Sequence, residues 1–286
     1  MPQTVTYSPA YTLVPTYECF NHCTYCNFRV DPGQSPWLTL TQAAAQLQHL
    51  QNQGLIEVLI LSGEVHPQSP RRQSWFNRIY DLCHLALDLG FLPHTNVGPL
   101  TQSEMARLKT VNVSMGLMLE QLTPTLLTGV HRHAPNKQAK IRLEQLAQAG
   151  ELRIPFTTGL LLGIGETASD RRETLEAIAQ IHEQWGHIQE VILQPYGPGS
   201  QESHHGVPFS PMELVSLVRL ARQILPPAIA LQIPPNLLLD AQHLIACLEA
   251  GATDLGGIGP RDEVNPDYPH LLDCQLASTL KQSGWQ

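Results

Sequence analysis

Three thiols fall within one short stretch, Cys19-Phe20-Asn21-His22-Cys23-Thr24-Tyr25-Cys26, spaced C-x3-C-x2-C. Soft thiolates in one tight loop select iron–sulfur clusters, zinc or copper(I). A complete 4Fe–4S site ordinarily takes four thiolates, but Cys83, Cys247 and Cys274 are scattered far along the chain. A cluster held by Cys19, Cys23 and Cys26 would leave one iron open to an exogenous ligand. Such an iron suits reductive chemistry on a bound molecule better than simple electron transfer. The alternative is a structural zinc completed by His22 or a distant residue. His22 reads as a solvent-facing loop residue. Cys83 and Cys247, in apolar helical contexts, read as buried small hydrophobes, and Cys274 has no evident place.

The elements around this loop alternate from end to end. Strands are expected at Tyr11–Val14, Glu57–Leu61, Phe91–Asn96, Asn112–Met118, Ile154–Leu162, Glu190–Gln194, Ala230–Ile233 and Asp254–Ile258. Helices are expected at Leu40–Gln53, Ser74–Leu89, Gln102–Leu108, Lys137–Ala149, Asp170–Gln184, Pro211–Leu225 and Leu238–Ala250. Thr101 and Ser210 each precede a Glu three residues on, the pattern of a capping box. Gly54, Gly90 and Gly150 stand where helices should stop. Strands alternating with helices imply parallel βαβ units. Eight of them suggest an α/β fold, a TIM-type (β/α)8 barrel, complete or slightly open, with an open doubly wound sheet as the alternative. No linker divides the chain, so residues 1–286 read as one domain. Tyr196–Val207 and Gly256–Pro269 read as long loops at the C-terminal ends of strands, where barrel active sites are built.

Composition narrows the partners. The chain is 42% apolar, 15% charged and carries a formal charge of −8, which disfavours binding to nucleic-acid phosphates. Met1–Ala10 lacks a basic segment followed by an apolar one, so no signal peptide is expected. No run approaches the length of a membrane span. A cytoplasmic protein is expected, where crowded cysteines favour metal binding over disulfides.

The C-x3-C-x-aromatic-C loop resembles the signature of the radical S-adenosylmethionine (SAM) superfamily. That resemblance implies a 4Fe–4S cluster whose open iron is chelated by the amino and carboxylate groups of SAM. One electron then cleaves the sulfonium to a 5′-deoxyadenosyl radical that abstracts hydrogen. It also implies roles for further residues. Tyr25 would lie beside the adenine. Ser62, Gly63 and Glu64, after the second strand, are similar to a motif that receives the methionyl ammonium, for which a carboxylate and carbonyls are suited. Glu120 would serve the ribose hydroxyls. Gly163, in Gly163-Ile164-Gly165-Glu166, resembles the glycine-rich SAM segment, and Arg171 would bind the SAM carboxylate.

A finer resemblance is to CofG, the ring-closing subunit family of FO (7,8-didemethyl-8-hydroxy-5-deazariboflavin) synthase. It rests on Tyr7–Arg29, Leu61–Glu64, Ser114–Glu120, Thr158–Thr167 and Gly256–Pro266, nearly the whole chain. Leu193–Pro198 departs from it, lacking a basic stretch. The resemblance implies a lyase acting on a small-molecule adduct that joins tyrosine's hydroxybenzyl part to a ribityliminouracil. The adduct cyclises to the deazaflavin with loss of ammonia. It further implies a companion CofH subunit and a reductant such as ferredoxin or flavodoxin. Rivals are CofH-type adduct synthesis and a non-enzymatic iron–sulfur or zinc protein. No catalytic acid or base is assigned; His66, His94, Asn96, Thr158, Gln194, Tyr196, Asp262 and Asn265 sit at strand ends or in the last loop.

Overall fold

The computed structural model describes residues 4–238, 240–268 and 273–286, with 273–275 described by backbone alone. Pro269 and the side chain of Cys274 therefore lie outside the described residues. Eight parallel strands close into a barrel in chain order, the last pairing with the first. They are β1 (Thr6–Leu13), β2 (Glu57–Leu61), β3 (Leu92–Asn96), β4 (Ser114–Gly116), β5 (Phe156–Leu162), β6 (Ile188–Pro195), β7 (Ala230–Gln232) and β8 (Asp254–Ile258). The helices α1 (Leu40–Leu50), α2 (Arg72–Asp88), α3 (Gln102–Leu108), α4 (Ala139–Glu151), α5 (Ala168–Trp185), α6 (Pro211–Ile224) and α7 (Ala241–Ala250) follow strands one to seven. α8 (Asp273–Gln282), unforeseen in the sequence, follows the eighth.

The core lies between strands and helices. Val58 and Ile60 of β2, Ile79 and Leu82 of α2, and Leu214 and Val218 of α6 are all fully buried. β5 is buried along its whole length. That is the pattern of a parallel strand covered on both sides.

Differences from the expected boundaries have local causes. β1 begins at Thr6 despite Pro9, because the β1–β8 register shifts between Thr6 and Ser8, and pairing with β2 starts only at Ala10. A proline is tolerated at such an irregularity. The capping box at Thr101–Glu104 is complete. At Ser210 only half of it forms: the hydroxyl accepts from the Glu213 amide, while the Glu213 carboxylate meets Arg171 at 3.4 Å. Gly54 and Gly90 do follow helices with positive φ. Gly150 does not end its helix. It lies inside α4, where a Cβ would fall 2.4 Å from Trp185, and Arg153 takes the left-handed turn. Among the described residues no helix is long and apolar enough to cross a membrane.

Candidate active site

The cysteine loop leaves the C-terminal end of β1 and is fixed by backbone bonds to its neighbours. Cys19 N–H donates to Val30 O (3.1 Å) and Phe20 N–H to Glu64 O (3.0 Å). His22 and Thr24 donate to His133 O (2.8 Å) and Val130 O (3.0 Å) in the segment after β4. Glu18, buried beside Cys19, ties down the residues that follow. It accepts from the amides of Gly33 and Ser35, from the Trp37 indole at 3.2 Å and from Arg71 at 2.8 Å. Gly63 packs directly beneath: a Cβ there would lie 2.2 Å from the Glu18 carbonyl oxygen.

The three thiols are half-buried and unpaired by disulfides. Burial pushes Cys19 up to about 11 and Cys23 up to about 12, the latter against the pull of nearby Lys137. Desolvated thiols become thiolates when a metal supplies the compensating charge. Among the described residues no three His, Cys, Asp or Glu side chains converge as ligands of one ion. Three thiols in one loop are the donor type an iron–sulfur cube takes, one per iron. The donor set fits that group. His22 is half-exposed and lies 3.8 Å from Asp31.

Two buried carboxylates face this loop. Glu64 accepts from Asn21 Nδ2 (2.9 Å) and Asn136 Nδ2 (2.7 Å), with Arg142 at 3.6 Å. Glu120 pairs with Lys137, lies 3.9 Å from Arg142 and accepts from the Tyr25 hydroxyl at 3.3 Å. Burial alone would raise the Glu120 carboxyl, but Lys137 and Arg142 outweigh it and hold it below the usual carboxylate range. The Glu120 backbone sits in the left-handed region, φ 67°, a strained conformation for Glu that marks functional sites. The Tyr25 hydroxyl also contacts His131 Nε2 at 2.9 Å, and Lys137 lies over the Tyr25 ring at 5.8 Å.

The glycine-rich turn after β5 has a different organiser. Gly163 and Gly165 take positive φ, which favours glycine, and Glu166 accepts from the Gly163 and Ile164 amides at 2.7 and 2.9 Å. Arg171 donates to that same Glu166 at 2.7 Å and lies over Phe209. Ser62 is spent locally: its hydroxyl donates to Gly63 O and accepts from the Trp75 indole at 3.0 Å. Of the strand-end residues, Thr158 is fully buried and accepts from the Leu119 amide, Tyr196 donates to Glu202, and Asp262 accepts from Asn236 and Asn265. His66 accepts from the Gln68 amide and is exposed.

A cavity of about 570 Å³ fills the barrel interior. Asn96 and Gln194 line it near the C-terminal ends of β3 and β6, and Arg261, Asp262 and Asn265 line its mouth.

The radical SAM superfamily model matches residues 13–178. The chain belongs to the radical SAM superfamily. It is 65% identical over 281 residues to the 7,8-didemethyl-8-hydroxy-5-deazariboflavin synthase of Nostoc sp. strain PCC 7120, covering 98% of this chain and 83% of that one. It is 57% identical to the synthase of the same name from Gloeobacter violaceus, covering 99% and 88%. Among solved structures, the FeFe-hydrogenase maturase HydG from Carboxydothermus hydrogenoformans superposes with a TM-score of 0.79 at 18% identity, over 99% of this chain and 67% of that one. Methylornithine synthase (PylB) superposes with 0.72 at 16% identity, over 98% and 81%. These two likenesses show the fold.

Membership of the radical SAM superfamily brings a 4Fe–4S cluster and SAM. Asn21, His131, Asn136, Lys137 and Arg142 were not foreseen, yet they surround Glu64 and Glu120. Arg142 had a readable signal, since it shares a helix face with the buried Leu146 and Ala149. Lys137 had none: it belongs to a 3-10 turn, Pro135–Lys137, just ahead of α4.

Proposed function

We propose that the protein closes the deazaflavin ring, as a 7,8-didemethyl-8-hydroxy-5-deazariboflavin synthase of the radical SAM type. In this reading Cys19, Cys23 and Cys26 hold the 4Fe–4S cluster, and the chain from 1 to 286 is one cytoplasmic barrel domain. When bound, cluster and SAM supply a 5′-deoxyadenosyl radical. The chain's own residues hold the reactants. Tyr25 and Glu120 flank the nucleoside, Glu64 and the Ser62–Gly63 backbone receive the methionyl ammonium, and the Gly163 turn, braced by Glu166 and Arg171, closes the pocket. The substrate is the hydroxybenzyl–ribityliminouracil adduct, seated in the lumen; a companion CofH-type subunit supplies it, and a small redox protein supplies the electron.

One observation carries the reading. A three-thiol loop abuts two buried carboxylates above a lumen cavity, in a chain 65% identical over 98% of its length to a synthase of that name. The lumen is lined by side chains able to orient a polar heterocycle, so that a radical formed nearby would meet a substrate held in place.

The test is anaerobic reconstitution with iron and sulfide, then turnover with SAM, reductant and the adduct. Fluorescent deazaflavin is the expected product. Deoxyadenosine without it would leave only the superfamily chemistry. Zinc in place of iron, with no deoxyadenosine, would remove the enzyme reading.

A further inference from the structure

The lumen cavity is chemically uneven along its length. Its upper end, at the C-terminal ends of the strands from which the cysteine loop also leaves, is lined by Asn96, Gln194, Arg261 and Asp262. At the N-terminal end of the strands it meets a band of polar side chains that the reading above does not use. Six residues form the band: Glu57, His94, Thr157, Glu190, Gln232 and Asp254, all lining the same cavity.

The band is cross-linked around the barrel. Glu190 accepts from the Thr157 hydroxyl at 3.1 Å and shares a hydrogen bond with Asp254; the Gln232 amide, turned with its nitrogen toward Glu190, donates to the two carboxylate oxygens at 3.0 and 3.3 Å. On the other side, His94 is 8% exposed and its Nδ1 contacts the Ser114 hydroxyl at 2.7 Å. Its second ring nitrogen, Nε2, has no partner among the described residues. Glu57 lies close enough for its charge to act on the ring.

The chemistry of this band restricts what it can hold. Three carboxylates and no Lys or Arg at this end disfavour phosphate or carboxylate ligands. Burial and the neighbouring Asp254 push Glu190 well above the ordinary carboxylate range, so the pair retains a proton and offers both a donor and an acceptor. A divalent cation would want both groups ionised. A flat apolar ring would leave the band's polar atoms unpaired, at a cost for each. A flexible chain of neighbouring hydroxyls, each a donor and an acceptor, matches it.

We propose that this band binds the ribityl chain of the substrate, with the ring system above it toward the cluster loop. The inference rests on the deazaflavin reading, whose product carries such a chain. It makes Glu190, Asp254 and Gln232 specificity-determining residues and orients the adduct along the barrel axis, polyol inward and reacting carbons outward.

The test compares two adducts on the cluster-loaded enzyme: the natural one, and one in which an N-ethyl group replaces the ribityl chain. The readout is the ratio of their kcat/KM values, which is independent of the fraction of folded enzyme. Wild type is expected to favour the ribityl adduct by roughly 10- to 100-fold, the worth of one or two hydrogen bonds to charged groups. In Glu190→Leu, and separately in Gln232→Leu, that ratio should fall by about 10-fold, mainly through KM for the ribityl adduct. A wild-type ratio near one, or a ratio unmoved by both substitutions, overturns the proposal. Failure of wild type to form deazaflavin from the ribityl adduct, with SAM still cleaved, overturns the deazaflavin reading itself.

Discussion

The Lys137 ammonium is hydrogen-bonded to the Glu120 carboxylate inside the pocket, where the two side chains are only 14% and 7% exposed. Burial and Arg142 push the Lys137 pKa down, but the facing charges of Glu120 and Cys23 leave it above the ordinary lysine value. The pair therefore stays ionised. Breaking such a pair strands a buried charge, which costs more than the pair itself contributes. Lys137→Met should destabilise the protein by about 3 kcal/mol, reduced somewhat because Arg142 remains near Glu120. Urea unfolding of the variant would measure it, and a change below about 1 kcal/mol would contradict the role given to the pair.

Gly63 is required by a close approach rather than by its backbone angle. Its missing Cβ makes room for the Glu18 carbonyl, a backbone atom that cannot rotate away. Gly63→Ala should push the cysteine loop off its seat and lower iron and sulfide per chain. Gly129→Ala is the control, with its nearest atoms at 3.7 Å. Equal iron content in the two variants would argue against the seating.

Glu166 organises the turn after β5 by accepting two amides and the Arg171 guanidinium. Glu166→Ala leaves all three donors without that acceptor, a loss of about 3 kcal/mol on general grounds. Because the turn is assigned to the SAM pocket, KM for SAM should rise more than kcat falls. Steady-state kinetics of SAM cleavage would show it; an unchanged KM would place the turn outside the pocket.

His187 supplies a pH test. Burial lowers its pKa to about 4, against roughly 6.5 for an unfolded histidine. Between those values the unfolded chain binds more protons, so stability is full above pH 6.5 and falls as the pH drops toward 4. His187→Leu removes this term while His131, also held near 4, contributes equally to both proteins. From pH 7 to pH 5 wild type should lose about 2 kcal/mol more than the variant. Parallel pH profiles from chemical denaturation would contradict the assignment.

The barrel was legible because strand–helix alternation is a property of sequence neighbours. Boundaries slipped where tertiary pairing overrode a local signal. β1 runs through Pro9 because it meets β8 across a register shift, and α4 runs through Gly150 because Trp185 packs on it. The cysteine spacing was legible for the same reason: its three residues share one loop. The polar partners of Glu64 and Glu120 were not, since Lys137, Arg142 and Asn136 reach them from a separate segment after β4. Arg171 was expected at the SAM carboxylate, and only the fold shows Glu166 and Phe209 against it. The polar band of the lumen was visible as isolated letters, without any sign that Glu190, Gln232 and Asp254 would meet.

The central claim is that a radical generated at the Cys19–Cys23–Cys26 loop takes hydrogen from an adduct held in the lumen. The most direct measurement uses an adduct deuterated on its tyrosine-derived carbons, turned over anaerobically by the cluster-loaded enzyme. Deuterium should appear in 5′-deoxyadenosine in step with deazaflavin fluorescence, and Cys23→Ala should form neither product. Deazaflavin accompanied only by unlabelled deoxyadenosine, or formed undiminished by Cys23→Ala, would contradict the account.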